Sequence, residues 1–197
     1  MKPSIVVVTG NQLLNVIDDL ARLRIEVFRD YPYLYEGTEE YEARYLETYV
    51  HSGDAMAVLA LEGKQVVGAS TGIPMAAESP AFKQPFIDAA INPETLFYCG
   101  ESVLLPAYRG QGLYREFFQK REEYARAIGK MEDICFCGVV RPEDHPLKPQ
   151  DYQPLDSVWE HFGYQPRPDL ICQFPWKDID CPESSDHAMM FWIKSLF

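Results

Sequence analysis

Four residues of this 197-residue chain are placed to do chemistry on an anion: Arg109, Gly110, Gln111 and Gly112, inside "LLPAYRGQGLYREFF". An apolar run ends at Pro106, and a strongly helical pattern starts immediately after the second glycine. A helix start exposes unpaired N–H groups and a partial positive charge, which suits phosphate. Glycines let the backbone approach an oxygen with no Cβ in the way. The Arg109 guanidinium adds a planar fork of donors. The turn therefore reads as a pyrophosphate cradle at a strand-to-helix junction.

Two common phosphate motifs do not fit. A P-loop needs Lys followed by Ser or Thr at the helix start, and neither is present. A dinucleotide fingerprint needs a third glycine where Arg115 stands, and should follow the first strand of the chain.

The elements that must hold this turn are legible in outline. "SIVVVTG" reads as a first strand, with Asn11 as N-cap of a helix whose apolar positions are Leu13, Val16, Ile17, Leu20, Leu23 and Val27. Pro32 and Gly37 separate it from a second helix, on which Tyr41, Tyr45 and Tyr49 share a face. "DAMAVLALEGKQVVGASTGIPM" is a hairpin, "AAESPAFKQPFIDAAINPE" a loop with a short helix, and "TLFYCGESVLL" a strand. The helix from Gly112 carries Leu113, Phe117, Tyr124 and Ile128 on one stripe, and Gly129 caps it. "DICFCGVV" is a buried strand and "RPEDHPLKPQDYQPLDS" an irregular loop. "SVWEHFGY" is a short helix stopped by Gly163, and "DLICQFPW" and "HAMMFWIKSLF" are the last strands. The order predicts one domain over residues 1–197, an α/β mixed sheet with helices on its faces.

At this point the chain resembles the GNAT superfamily of acyl-CoA-dependent N-acyltransferases. The family signature R/Q-x-x-G-x-G/A reads here as Arg109-Gly110-Gln111-Gly112-Leu113-Tyr114, after "SVLLPAY" as fourth strand and before "WEHFGY". The resemblance implies a central, mostly antiparallel sheet of about seven strands. It implies that the N–H groups of Gln111, Gly112, Leu113 and Tyr114 hold the coenzyme A pyrophosphate, with Gly110 in the turn and Arg109 beside it. The main chain near Ser102, Leu104 and Leu105 would pair with the pantetheine arm in a slot between splayed fourth and fifth strands. The reaction implied is direct acetyl transfer from acetyl-CoA to an amine, with no covalent enzyme intermediate and no metal. Tyr114 departs from the signature, because its ring must crowd a phosphate or turn aside. Trp159 departs too, standing where many relatives carry a Tyr that protonates the leaving thiolate.

Glu101 is the first candidate for the base, since a carboxylate in "FYCGESVLL" would be costly to bury unpaired. Strand alternation aligns Ser102 and Tyr98 with Leu104 and turns Glu101 away, unless a bulge at Gly100 intervenes. Tyr98 is the second candidate base. For the acid, Tyr152 and His145 lie in the proline-rich loop and His161 in the short helix. Tyr31, Tyr33 and Tyr35 are candidates for the wall of the acceptor site, and Arg29 with Asp30 for a local ion pair.

A net charge of −12 argues against nucleic acid and anionic membranes. No run of about 18 apolar residues exists to cross a bilayer, and the N-terminal stretch is too short for a signal peptide. Five cysteines without a metal or redox spacing fit buried thiols, Cys135 and Cys137 on one strand face, in a cytoplasmic protein. The resemblance implies a small-molecule or peptide amine as acceptor, its identity left open, and the apolar last strand is a candidate for pairing across a homodimer. A coenzyme-A-binding sensor that has lost catalysis, and a plain structural domain, are the alternatives.

Overall fold

The protein is described as a computed structural model over residues 2–197. Its strands are β1 (Ser4–Thr9), β2 (Met56–Glu62), β3 (Gln65–Pro74), β4 (Leu96–Tyr98), β5 (Ser102–Leu104), β6 (Asp133–Val139), β7 (Gln165–Lys177) and β8 (Ser184–Ser195). The helices are α1 (Ile17–Phe28), α2 (Glu39–His51), α3 (Pro80–Asp88), α4 (Leu113–Ile128) and α5 (Asp156–His161). One eight-stranded sheet runs β1-β2-β3-β4-β6-β8-β7, with β5 also on β3. Among the described residues only β4 and β6 pair in parallel. Eight strands replace the seven expected because the fourth is broken in two.

The sheet separates two cores. Ala55, Ala57 and Leu59 point to the side of α1, α2 and α3, while Met56, Val58 and Ala60 point to the side of α4. This is the period of two that a strand imposes. Both faces of β2 and β3 are covered, so these strands read as continuous apolar runs.

Two local expectations change, at the first helix and at the last strand, and the short helix expected after the hairpin is present. The turn Gly10–Asn15 is 3-10, capped by Thr9 with Gln12 rather than by Asn11, and α1 starts at Ile17. The proline-rich stretch folds into α3, with Pro80 in the first turn, where its missing N–H costs nothing. The last strand, β8, lies between β6 and β7 with both edges hydrogen-bonded, so it has no edge to offer a second copy.

The break between β4 and β5 shapes the site. Ile73 pairs with Tyr98, and Ser70 with Ser102, so three steps along β3 answer four along its partner. That is a β-bulge. It turns Tyr98 and Glu101 toward α1 and α2, and Ser102 and Leu104 toward α4, which reverses the alternation of an unbroken strand. Gly100 permits it, because a Cβ there would collide with the Tyr49 hydroxyl.

Candidate active site

β4 stays with β6 through Tyr98↔Cys135 and the Cys99 N–H to Cys135 carbonyl bond of 2.8 Å. Beyond the bulge the two separate, and β5 pairs only with β3. The Thr71 N–H donates to the Glu101 carbonyl, and the Leu105 N–H donates to the Val67 carbonyl. Residues 101, 103 and 105 therefore face β3, and the main-chain groups of Ser102 and Leu104 face the gap. Ser102 and Leu104 can pair with an extended arm. Leu105 cannot, since its amide is already used, and this corrects the sequence expectation.

The gap opens into a cleft of about 1180 Å³. It brings together Glu101, Ser102, Leu104, Arg109, Gly110, Gly112, Leu113, Tyr114 and Tyr152. Gly110 and Gly112 have φ of +75° and +77°, and a Cβ at either would meet nothing within 4 Å. A backbone that L side chains rarely adopt thus borders open space at the start of α4, where no side chain caps the free N–H groups. Arg109 lies along the same edge, its Nε donating to the Leu104 carbonyl at 3.3 Å. The Gln111 side chain is turned back to the Ala107 carbonyl at 3.2 Å.

The two departures from the signature meet each other. Tyr114 turns aside onto Phe118, with ring centroids 5.0 Å apart, and its hydroxyl accepts from Trp159 Nε1 at 3.2 Å. Burial raises the Tyr114 phenol above its ordinary value, against the Trp159 bond and Arg121. The space over Gly112 is left clear.

On the opposite face Glu101 is buried and held by Arg24 Nη1, while Arg24 Nε donates to Glu42 at 2.5 Å. Burial alone disfavours the Arg24 cation; Glu101 and Glu42 more than reverse this and raise it well above its ordinary value. Oε1 of both glutamates has no partner. Glu101 is thus an ion-paired carboxylate with one buried, unpartnered oxygen, not a solitary one. Tyr98 lies beside it, its hydroxyl 3.3 Å from Cys137 Sγ, and burial keeps its phenol protonated far above the usual range. Tyr98 lines an adjoining aromatic cavity of about 60 Å³ with Tyr33, Tyr35, Tyr45 and Trp176.

Tyr152 sits at the mouth, edge-on to Tyr31 at 4.7 Å. His145 is half-buried nearby, 5.8 Å from the Tyr31 ring, and His161 is exposed on α5. Among the described residues Arg29 and Asp30 form no ion pair. Burial pushes the Cys99 thiol up to about 11, so it is protonated and unreactive at neutral pH.

Sequence reasoning missed Arg24, Glu42 and Arg121. The signal was present: each is a charged residue at an apolar helix position, four after Leu20, four before Leu46 and four after Phe117.

Glu78 is a third carboxylate near this group. Burial raises its pKa, the Ser79 N–H opposes this, and the Glu101 charge adds to it. A carboxylate raised in the folded state contributes stability at low pH that is lost as pH rises through its folded value. Glu78→Gln is therefore expected to stabilise the protein at pH 7, with the gain fading under acid; urea unfolding at both pH values checks it.

No protein-family model matches the chain, and no curated protein matches it. Solved structures do. A GNAT-family acetyltransferase from Staphylococcus aureus Mu50 superposes with a TM-score of 0.58 at 11% identity, covering 98% of this chain and 100% of that one. NAA60 from Arabidopsis thaliana in complex with acetyl-CoA gives 0.58 at 13%, covering 98% of each. Ribosomal-protein-alanine N-acetyltransferase from Brucella melitensis gives 0.61 at 12%, covering 96% of this chain and 99% of that one.

Proposed function

We propose that this chain, whose fold is that of the GNAT acetyltransferases, is an N-acyltransferase that moves an acyl group from acyl-coenzyme A, acetyl-CoA being the simplest donor, to an amine. One observation carries the reading. The unpaired edge of β5 leads straight to two left-handed glycines and the uncapped start of α4. An extended arm ending in a diphosphate matches that succession of donors. The amide hydrogens from Gly110 to Tyr114 and the Arg109 guanidinium would take the diphosphate. The main chain of Ser102 and Leu104 would pair with the arm.

In the reaction the amine nitrogen, once neutral, attacks the thioester carbonyl. The C–N bond forms, the C–S bond breaks, and the sulfur leaves with the electron pair as thiolate, which takes a proton. The amine proton must go to a base. Glu101, whose Oε1 is buried and has no partner, would take it directly or through water. Tyr152, which lines the cleft, supplies the proton donor for the departing sulfur; Tyr98 faces the other core, and burial makes its phenol a weaker acid than the thiol. Tyr152 and Tyr31 form the rim through which the acceptor passes, and Tyr33 and Tyr35 its inner wall.

The test is release of free thiol from acetyl-CoA in a panel of amines, together with coenzyme-dependent thermal stabilisation. Glu101→Gln is expected to lower turnover at neutral pH by about 10²-fold with coenzyme stabilisation retained. Equal turnover in both proteins would remove Glu101 from the chemistry. The Arg24 clamp on Glu101 and the indole at position 159 favour a second reading, a coenzyme-A sensor. Stabilisation without thiol release from any amine would establish it.

A further inference from the structure

Among the described residues two arginines are buried, Arg24 and Arg121. Arg24 lies between two carboxylates. Arg121 takes part in none of the ion pairs among the described residues. Its Nη1 donates to Ser102 Oγ at 2.9 Å and lies 3.5 Å from Ser70 Oγ, and its Nη2 lies 3.4 Å from the Tyr164 hydroxyl. Its Nε has no partner at all. The guanidinium rests on the Phe118 ring at 3.9 Å and faces Phe136 at 5.4 Å. Glu122, the nearest carboxylate in sequence, is occupied by Lys194 at 2.7 Å and Arg126 at 3.5 Å.

A guanidinium stays charged at any physiological pH. Here it is buried against hydroxyls and rings with no carboxylate beside it and with Nε unpartnered, an arrangement that an arriving anion would complete. The direction is fixed, because Arg121 lines the coenzyme cleft. It is not in the phosphate cradle: it stands eight residues after Leu113, roughly 12 Å along α4 at the α-helical rise. It touches Ser102, the β5 residue nearest the bulge, where the arm proposed above would end in its acyl group.

We propose that the slot ends in a carboxylate subsite built on Arg121, and that the acyl donor is the coenzyme A monothioester of a short dicarboxylic acid, of the succinyl type. Nε and the Nη groups would hold the distal carboxylate, with Ser102 and Ser70 keeping the guanidinium in place. The chemistry at the thioester is unchanged, and the product amide carries a free carboxylate.

This rests on the coenzyme reading, and the experiment separates the two. Dissociation constants are measured calorimetrically for coenzyme A, butyryl-CoA and succinyl-CoA; the two thioesters have acyl chains of equal carbon number and differ in charge. The unmodified protein is expected to bind succinyl-CoA about tenfold or more tightly than butyryl-CoA, as a charge-assisted bond gives. Arg121→Met should collapse that preference and Arg121→Lys should keep part of it. The unmodified protein suffices if the Met variant fails to fold. Butyryl-CoA or free coenzyme A binding as tightly as succinyl-CoA would overturn the subsite and leave the coenzyme reading standing. No binding of any of the three would overturn both.

Discussion

Gly112→Trp is expected to weaken coenzyme A binding by roughly a hundredfold or more, the loss of two charge-assisted hydrogen bonds. Gly112 caps α4 at φ +77°, and the space beyond its Cα is open. That space is where a phosphate would meet the amide hydrogens, so an indole there removes the site rather than perturbing it. The substitution also strains the backbone by about 1–2 kcal/mol, because an L side chain resists positive φ. Gly63 separates the two effects. It has φ +61° in the β2–β3 turn, likewise with nothing near its Cβ position, and does not line the cleft. Gly63→Trp should cost similar stability and leave coenzyme binding unchanged. Calorimetric titration of both variants is the measurement, and equal binding by the two would contradict the assigned cradle.

Arg24→Met is expected to destabilise the protein by about 3–5 kcal/mol, the usual consequence of removing one partner of a buried ion pair. Arg24 is wedged between α1, α2 and the bulge, and it is the only cation paired with Glu42 or Glu101 among the described residues. Its loss leaves two carboxylates facing each other in a site walled by Phe28 and Tyr45. Glu42→Gln in the same chain should recover part of the loss, which a double-mutant cycle reads as coupling. Urea unfolding of the single and double variants checks both expectations. A loss below about 1 kcal/mol would mean that the cluster does not hold α1 and α2 to the strand.

The glycine turn, the strand before it and the helix after it were legible because each obeys a local rule. Gly112 and Gly129 bracket α4 through their own conformational freedom, and the apolar stripe from Leu113 obeys helical geometry. The bulge was visible only as a possibility at Gly100. Its register depends on β3, some thirty residues away, and on the Tyr49 hydroxyl that excludes a Cβ. Thus Tyr98 was placed on the wrong face, and Glu101 was read without the arginine that binds it. Arg24, Glu42 and Arg121 sit at apolar helix positions, and periodicity alone counts such residues as interruptions of a stripe. What they pair with is a tertiary fact. The contact between Tyr114 and Trp159, forty-five residues apart, is likewise invisible in sequence, although each was conspicuous alone. The expected pairing of the last strand with a second copy failed for a topological reason, since an apolar final strand was inserted into the sheet instead of forming its edge.

The central claim is that a diphosphate rests on the amide hydrogens opening α4 while its arm lies along β5. A crystal structure of the protein with coenzyme A tests this most directly. The account predicts diphosphate oxygens within hydrogen-bond distance of the main chain between Gly110 and Tyr114, and the pantetheine paired with Ser102 and Leu104. Coenzyme A bound at any other place on the sheet, with this cleft filled by solvent, would contradict it.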